Sequence, residues 1–313
     1  MEVTIRPLRK EDLPNADHIM RLAFGTFMQM PEPEKFGEGT DHVKTRWIAD
    51  PNAVFAAEIS GKLVGSNFVT RWGSFGFFGP LTVHPDFWDK GVAKRLLEPT
   101  MELFSKWGVS HTALFTFADS PKHLGLYQKF GFWPRYLTPV MSKTLQTSGE
   151  SGKWSKFSDV PDVEREQYLA KCRNLSSSVC KGLDLKREIL AVQDQKLGDT
   201  VMLWEDDTLT GFAVCHSGPG TEAGSDTCYI KFATAGKGLN AGDAFSMLLK
   251  ACEEYARMQE MNKVLAGVNT ACHNAYRKMI ADGFRTDFIG VLMLRPNQPA
   301  FDDSDSYVIC DLR

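Results

Sequence analysis

Four short landmarks recur in one order along this chain, and they constrain its fold more than any single motif does. Glu11-Asp-Leu-Pro14 returns as Ser158-Asp-Val-Pro161, Leu63-Val-Gly65 as Leu209-Thr-Gly211, Gly91-Val-Ala93 as Gly242-Asp-Ala244, and Gly131-Phe132 as Gly283-Phe284, at offsets of 146 to 152 residues. A period this long indicates a duplicated domain, because solenoid repeats run about 20–50 residues. The length of 313 residues suits two domains at roughly 150 each. The stretch Leu145-Gln-Thr-Ser-Gly-Glu-Ser-Gly-Lys153 is polar, rich in Gly and Ser and without periodicity, as a linker should be. The expected division is therefore residues 1–145, a linker at 146–153, and a second domain at 154–313.

Within the first copy, strand and helix patterns alternate. Strands are expected at Thr4–Leu8, Val54–Ile59, Leu63–Arg71, Phe77–Val83, Thr112–Phe117 and near Leu137–Met141; helices start at Leu13, follow Gly91, and run through Tyr127. This order predicts an α/β fold in which each copy is a mixed twisted sheet flanked by helices on both faces.

The most chemically informative segment is Leu81-Thr-Val-His-Pro-Asp-Phe-Trp-Asp-Lys-Gly-Val-Ala-Lys-Arg-Leu-Leu97, which reads as strand, tight turn and helix start. The first amides of a helix lack intrahelical partners and point along the positive end of its dipole, so they favour an anion. Gly91 lets the backbone approach that anion, Ala93 keeps the second turn uncrowded, and Lys90, Lys94 and Arg95 add positive charge. Val92, Leu96, Leu97, Met101 and Phe104 form one apolar stripe, so the helix is packed, and Pro99 is expected to kink it. Taken alone, the segment fits a pyrophosphate cradle or an ordinary strand-to-helix turn.

A second segment bears on that choice. The run Val83 to Ala93, followed about thirty residues later by Leu126-Tyr-Gln-Lys-Phe-Gly-Phe132, resembles the GNAT superfamily of acyl-CoA-dependent N-acyltransferases in its tandem, two-domain form. The resemblance implies acetyl-CoA or another acyl-CoA as cosubstrate, held by Leu81, Thr82, Val83, Trp88, Asp89, Lys90, Gly91, Val92, Ala93 and Lys94. It further implies direct attack by an amine on the thioester, with Tyr127 protonating the departing thiolate. A phenol with a pKa near 10 is protonated at neutral pH and can donate to a thiolate whose conjugate acid has a pKa of about 8.5. The residues themselves also allow Tyr127 simply to cap the core beside Phe130 and Phe132.

Two departures from the family pattern stand out. The strand Phe75-Gly-Phe-Phe-Gly-Pro-Leu81 carries no Glu or Asp, so a general base must come from elsewhere, with Asp119, His123 or a water chain as candidates. Asp89 places a negative charge beside the expected pyrophosphate, partly offset by Lys90 and Lys94, while Trp88 either packs on the pantetheine or adenine or covers the core. His84 suits a structural role in the Pro85-Asp86 turn.

The acceptor side is expected to include the loop Phe24 to Phe36, an aromatic and methionine-rich lid carrying Glu32 and Glu34. In the second copy the basic flank is gone, Asp243 adds a like charge, and Met279 aligns with Tyr127, with Tyr276 one turn earlier. That copy reads as one that lost catalysis and shapes the acceptor cleft or a dimer. The acceptor is a small-molecule or peptide amine, and a homodimer stays open. A non-catalytic acyl-CoA sensor or scaffold is the rival reading.

A net charge of -3 gives no footprint for nucleic acid or a membrane surface. No signal-peptide pattern precedes the first strand and no apolar run approaches the ~20 residues needed to span a bilayer, so the chain reads as cytoplasmic. The seven cysteines are odd in number, all lie in the second half and contain no C-x-x-C pair, so neither a disulfide framework nor a metal site is expected.

Overall fold

In the computed structural model, which describes residues 2–145 and 151–313, the first half runs β1 (Thr4–Pro7), α1 (Leu13–Phe27), α2 (Val43–Ala49), β2 (Val54–Ile59), β3 (Lys62–Trp72), β4 (Phe75–Val83), α3 (Val92–Trp107), β5 (His111–Phe117), α4 (Pro121–Gln128) and β6 (Trp133–Thr144). The second half repeats the series as β7 (Lys153–Lys156), α5 (Arg165–Val179), α6 (Lys186–Gln195), β8 (Gly198–Glu205), β9 (Thr208–Ser217), β10 (Thr227–Ala235), α7 (Ala241–Met258), β11 (Lys263–Gly267), α8 (His273–Ala281) and β12 (Arg285–Arg295). A last strand, β13 (Val308–Ile309), has no counterpart in the first half. Most of the expected linker, 146–150, lies outside the described residues, and Lys153 already begins a strand.

Strand alternation puts helices on both faces of the sheet. Val54 and Ala56 of β2 pack with Ala16 and Met20 of α1 and Val43 of α2, whereas Ala57 and Ile59 pack with Val92 and Leu96 of α3. A period of two does this, since successive side chains of a strand leave by opposite faces. The buried stripe of α3 is Val92, Leu96, Leu97, Thr100 and Phe104, and the helix runs unbroken through Pro99 rather than ending there.

The sheets of the two halves are not separate. Together they form one 13-stranded sheet in the order β1-β2-β3-β4-β5-β12-β6-β11-β10-β9-β8-β7, with β13 paired to β10 off that path. The two halves have therefore exchanged their last strands: β12 pairs antiparallel with β5, and β6 with β11, while β6 and β12 pair with each other at the centre. Hydrophobic alternation fixes which face of a strand is buried but not which strand lies beside it, so the expectation of one sheet per copy is corrected here.

Two further contacts tie the halves together. The tight turn Gly73-Ser74 between β3 and β4 docks on the second half, where Ser74 N–H donates to the Gly182 carbonyl at 2.8 Å. The corresponding connection between β9 and β10 is longer, residues 218–226, and it returns the contact: Gly220 N–H donates to Gly39 and Asp41 N–H to Thr221, both at 2.8 Å. The longer loop is the insertion that makes the repeat offset drift.

Candidate active site

Strands β4 and β5 run parallel and pair only at Phe75–Phe77 against His111–Ala113, after which they part. Just beyond, β4 carries a bulge: Asn67 of β3 faces Leu81 and Val69 faces Phe78, so Gly79 and Pro80 oppose a single residue. The opening between the strands leads into a cavity of about 780 Å³, bounded by β4, β5, the start of α3, α4 and the end of α1. That volume lies within the ~300–1,000 Å³ of small-molecule sites.

Ten of the eleven residues expected at the site line this cavity: Leu81, Thr82, Val83, Trp88, Asp89, Gly91, Val92, Ala93, Lys94 and Tyr127. Lys90 does not. Its ammonium donates to the Asp86 carbonyl at 2.6 Å and sits 5.0 Å from the Phe87 ring centroid, turned away from the cradle.

Gly91 caps α3 in the left-handed region, with φ +77°, and a Cβ there would meet no atom within 4 Å. The left-handed backbone favours glycine, and the space beside it is open for a ligand. Asp89 does not face the cradle uncompensated: its carboxylate pairs with Lys122 of α4 at 2.6 Å, and Lys122 Nζ lies 5.7 Å from the Trp88 ring centroid. This pair joins the cradle turn to α4, and Lys94 and Lys129 also line the cavity. Trp88 donates its indole N–H to the Val83 carbonyl at 2.7 Å, which fixes the ring against the strand end. His84 accepts from Asp86 N–H at 3.3 Å, in the turn-holding role its position suggested.

Tyr127 is buried at 8% exposure, packs on Phe78 with ring centroids 5.7 Å apart, and borders the cavity. Burial raises its phenol pKa, which keeps it protonated at neutral pH. Of the candidate bases, His123 lines the cavity and Asp119 does not; Asp119 is exposed. His123 stacks beside Phe27 at 4.8 Å, and its Nδ1 is buried without a hydrogen-bond partner among the described residues. Burial, assisted by Lys122, pushes its pKa down against the pull of Asp119.

The acceptor side differs from expectation in two ways. Phe24 to Phe27 form the last turn of α1 rather than a loop; Phe24, Phe27, Met28 and Phe36 line the cavity, but Glu32 and Glu34 do not. Glu32 instead pairs with Lys35 at 2.6 Å on the surface. The second half also supplies wall residues, Phe288, Leu312 and Arg313. Sequence reasoning missed His42 altogether, which lines the cavity next to a buried ionic cluster at the seam between the halves.

In the second copy the equivalent space is filled. Gly242 is the second residue of α7, not its cap; Asn240 holds that place with φ −93°. A Cβ at Gly242 would come within 2.8 Å of both Lys278 and the Tyr307 hydroxyl. Strands β10 and β11 part after Ile230 and Ala266, and β13 enters the gap, pairing Val308 and Ile309 with Thr234 and Ala233, while Cys310 N–H donates to Gly267 at 2.9 Å. Met279 is fully buried, and neither it nor Tyr276 reaches the cavity. Among the described residues no cluster of His, Cys, Asp and Glu is placed to hold a metal ion, no helix is long and apolar enough to cross a membrane, and the seven cysteines are buried thiols.

The site is thus a parted pair of parallel strands with a helix N-terminus at the opening. Residues 19–132 match the family model described as Acetyltransferase (GNAT) family. A putative acetyltransferase from Pyrococcus horikoshii superimposes with a TM-score of 0.71 at 14% identity over 98% of this chain and 94% of its own. A GCN5-related N-acetyltransferase from Sphaerobacter thermophilus gives 0.58 at 15% identity, covering 96% and 97%. A tandem GNAT protein from the clavulanic acid biosynthesis pathway gives 0.58 at 12% identity, covering 96% and 100%. These likenesses are of fold. No curated protein matches the sequence.

Proposed function

We propose that this chain moves an acetyl or other acyl group from acyl-CoA to an amine, at one site in the first half. The observation that carries this reading is the shared cavity: the open left-handed turn at Gly91 and the buried phenol of Tyr127 border the same 780 Å³ space. The residues fit the cosubstrate, since a diphosphate would accept from the free amides at the start of α3 and face Lys94 and Lys129. The thioester supplies an activated acyl carbon and a good leaving group. In this reading the protonated Tyr127 gives its proton to the sulfur, and the aromatic wall of Phe24, Phe27, Phe36 and Phe117 suits an amine with an apolar body.

Calorimetric titration with acetyl-CoA tests the reading. One site per chain is expected, and Tyr127→Phe should keep that affinity while slowing turnover by about 100- to 10,000-fold, the range of general acid catalysis. Unchanged turnover would remove Tyr127 from the chemistry. The absence of a carboxylate on β4 favours a second reading, an acyl-CoA sensor, for which thioester loss in the presence of amines would not exceed background.

A further inference from the structure

The acyl-transfer reading leaves one requirement unmet: the attacking amine must lose a proton, and β4 offers no carboxylate. His42, the residue before α2, lines the cavity. One helical turn on, Arg46 donates to the carbonyl of Gly79 at 2.5 Å, at the bulge of β4. Helix α2, which His42 precedes, is thereby tied to β4 near where β4 and β5 separate.

Behind His42 stands a carboxylate from the other half of the molecule. Glu222 lies on the long β9–β10 loop, its side chain fully buried, with Oε2 3.8 Å from His42 Nδ1. That is an electrostatic contact rather than a hydrogen bond. Arg46 donates to both Glu222 oxygens at 2.8 Å, and Lys231 of β10 to one of them at 2.9 Å. Burial alone would raise the Glu222 carboxyl, but Arg46 and Lys231 overcome it and hold it well below the usual range, so it is ionised and fixed.

We propose, on the basis of the acyl-transfer reading above, that His42 is the proton acceptor for the attacking amine and that Glu222, delivered by the second half, is its positioning residue. As the amine nitrogen bonds to the acyl carbon, its proton passes to His42; the carbon–sulfur bond breaks and the sulfur takes the Tyr127 proton. Release of the His42 proton to solvent and return of one to Tyr127 restore both groups. His123 is less suited, because it lies against Phe27 and Phe117, and Lys122 opposes its imidazolium more strongly than Asp119 favours it.

Three charged groups face His42: Glu222, which favours the imidazolium, and Arg46 and Arg313, which oppose it. Burial is the largest influence and lowers its pKa below 6.5, so the ring is neutral and ready at pH 7. The acidic limb of kcat/KM should fall below pH 6.5 accordingly.

The test measures acetyl-CoA binding, turnover against pH with phenethylamine, spermidine and glucosamine, and the ring signals of His42 by NMR in the full chain. His42→Gln should bind acetyl-CoA as the parent does, lose about 100- to 10,000-fold in turnover, and lose the acidic limb, whereas His123→Gln retains that limb. Glu222→Gln, or Glu222→Asp if the former is unstable, should lower the His42 titration midpoint. Parent-like turnover and pH profile in His42→Gln would overturn the base assignment alone. An unmoved His42 midpoint would overturn the role of Glu222, and absence of transfer by the parent would overturn the enzyme reading itself.

Discussion

The two copies share a frame and differ in what occupies its opening. In the first, β4 and β5 part over empty space, and the helix beyond is capped by Gly91 in a left-handed turn. In the second, β10 and β11 part in the same way, but the gap holds β13, and the helix start is covered by Tyr307 and Lys278. The bulge that falls at Gly79-Pro80 in β4 falls at Lys231 in β10, where the side chain pairs with Glu188 and Glu222 instead of leaving a carbonyl for Arg46. The opening of the second copy is thus filled by a segment from outside the duplicated frame, residues 301–312, although its motif glycine at 242 is kept. The second half in turn supplies Leu312 and Arg313 to the wall of the open cavity and Glu222 beside His42.

The largest way to break this contrast is to divide the chain. A fragment ending at Leu145 would leave β5 without β12 and β6 without β11 or β12; we expect no cooperative unfolding transition and no acetyl-CoA binding. A folded monomeric fragment with wild-type affinity would sink the view that the copies are interdependent.

Next in size is the cradle itself. Gly91→Asp should weaken acetyl-CoA binding by about 100-fold or more, since a carboxylate would face the diphosphate at a cost of several kcal/mol. In the second copy, Tyr307→Ala should cost roughly 1–3 kcal/mol of stability by opening space beside Phe245 yet leave the acetyl-CoA stoichiometry at one. A second bound equivalent would show that Tyr307, and not β13, closes the silent groove.

The smallest effect concerns the seam. Burial pushes His216 down to about 4 from an ordinary 6.5, helped by Lys231. Between those values the unfolded chain binds a proton that the folded chain does not, so stability present above pH 6.5 is lost as pH falls toward 4, by up to about 3 kcal/mol. Thermal unfolding midpoints across this window should decline in the parent and decline less in His216→Gln. Equal slopes would mean that other groups carry the acid sensitivity.

Local pattern made the first site legible in the sequence. Gly91 before an apolar helical stripe, and Tyr127 before Gly131-Phe132, each depend on neighbours a few residues away. The Lys122 partner of Asp89 was not readable, because it depends on how α4 lies against the cradle, and the bond of Lys90 back to Asp86 depends on the path of the turn between them. His42 and Glu222 are 180 residues apart and meet only through the docking of two loops. A signal did exist: the repeat offset grows from 146 to 151 residues between Leu63 and Gly91, marking the insertion that carries Glu222. The segment after Arg295, with apolar residues at 301, 308, 309, 310 and 312 and no first-half counterpart, likewise announced something to be buried, though not where. Strand exchange left no trace, since either pairing buries the same faces.

That exchange has a consequence for descent. A lineage of separate domains can shed a copy that has stopped working, but a gene trimmed to the first half of this one would lose β12 from the middle of the sheet it kept. Selection on the first half therefore also preserves the second, and substitutions that loosen the second half will be removed as though they had struck the first.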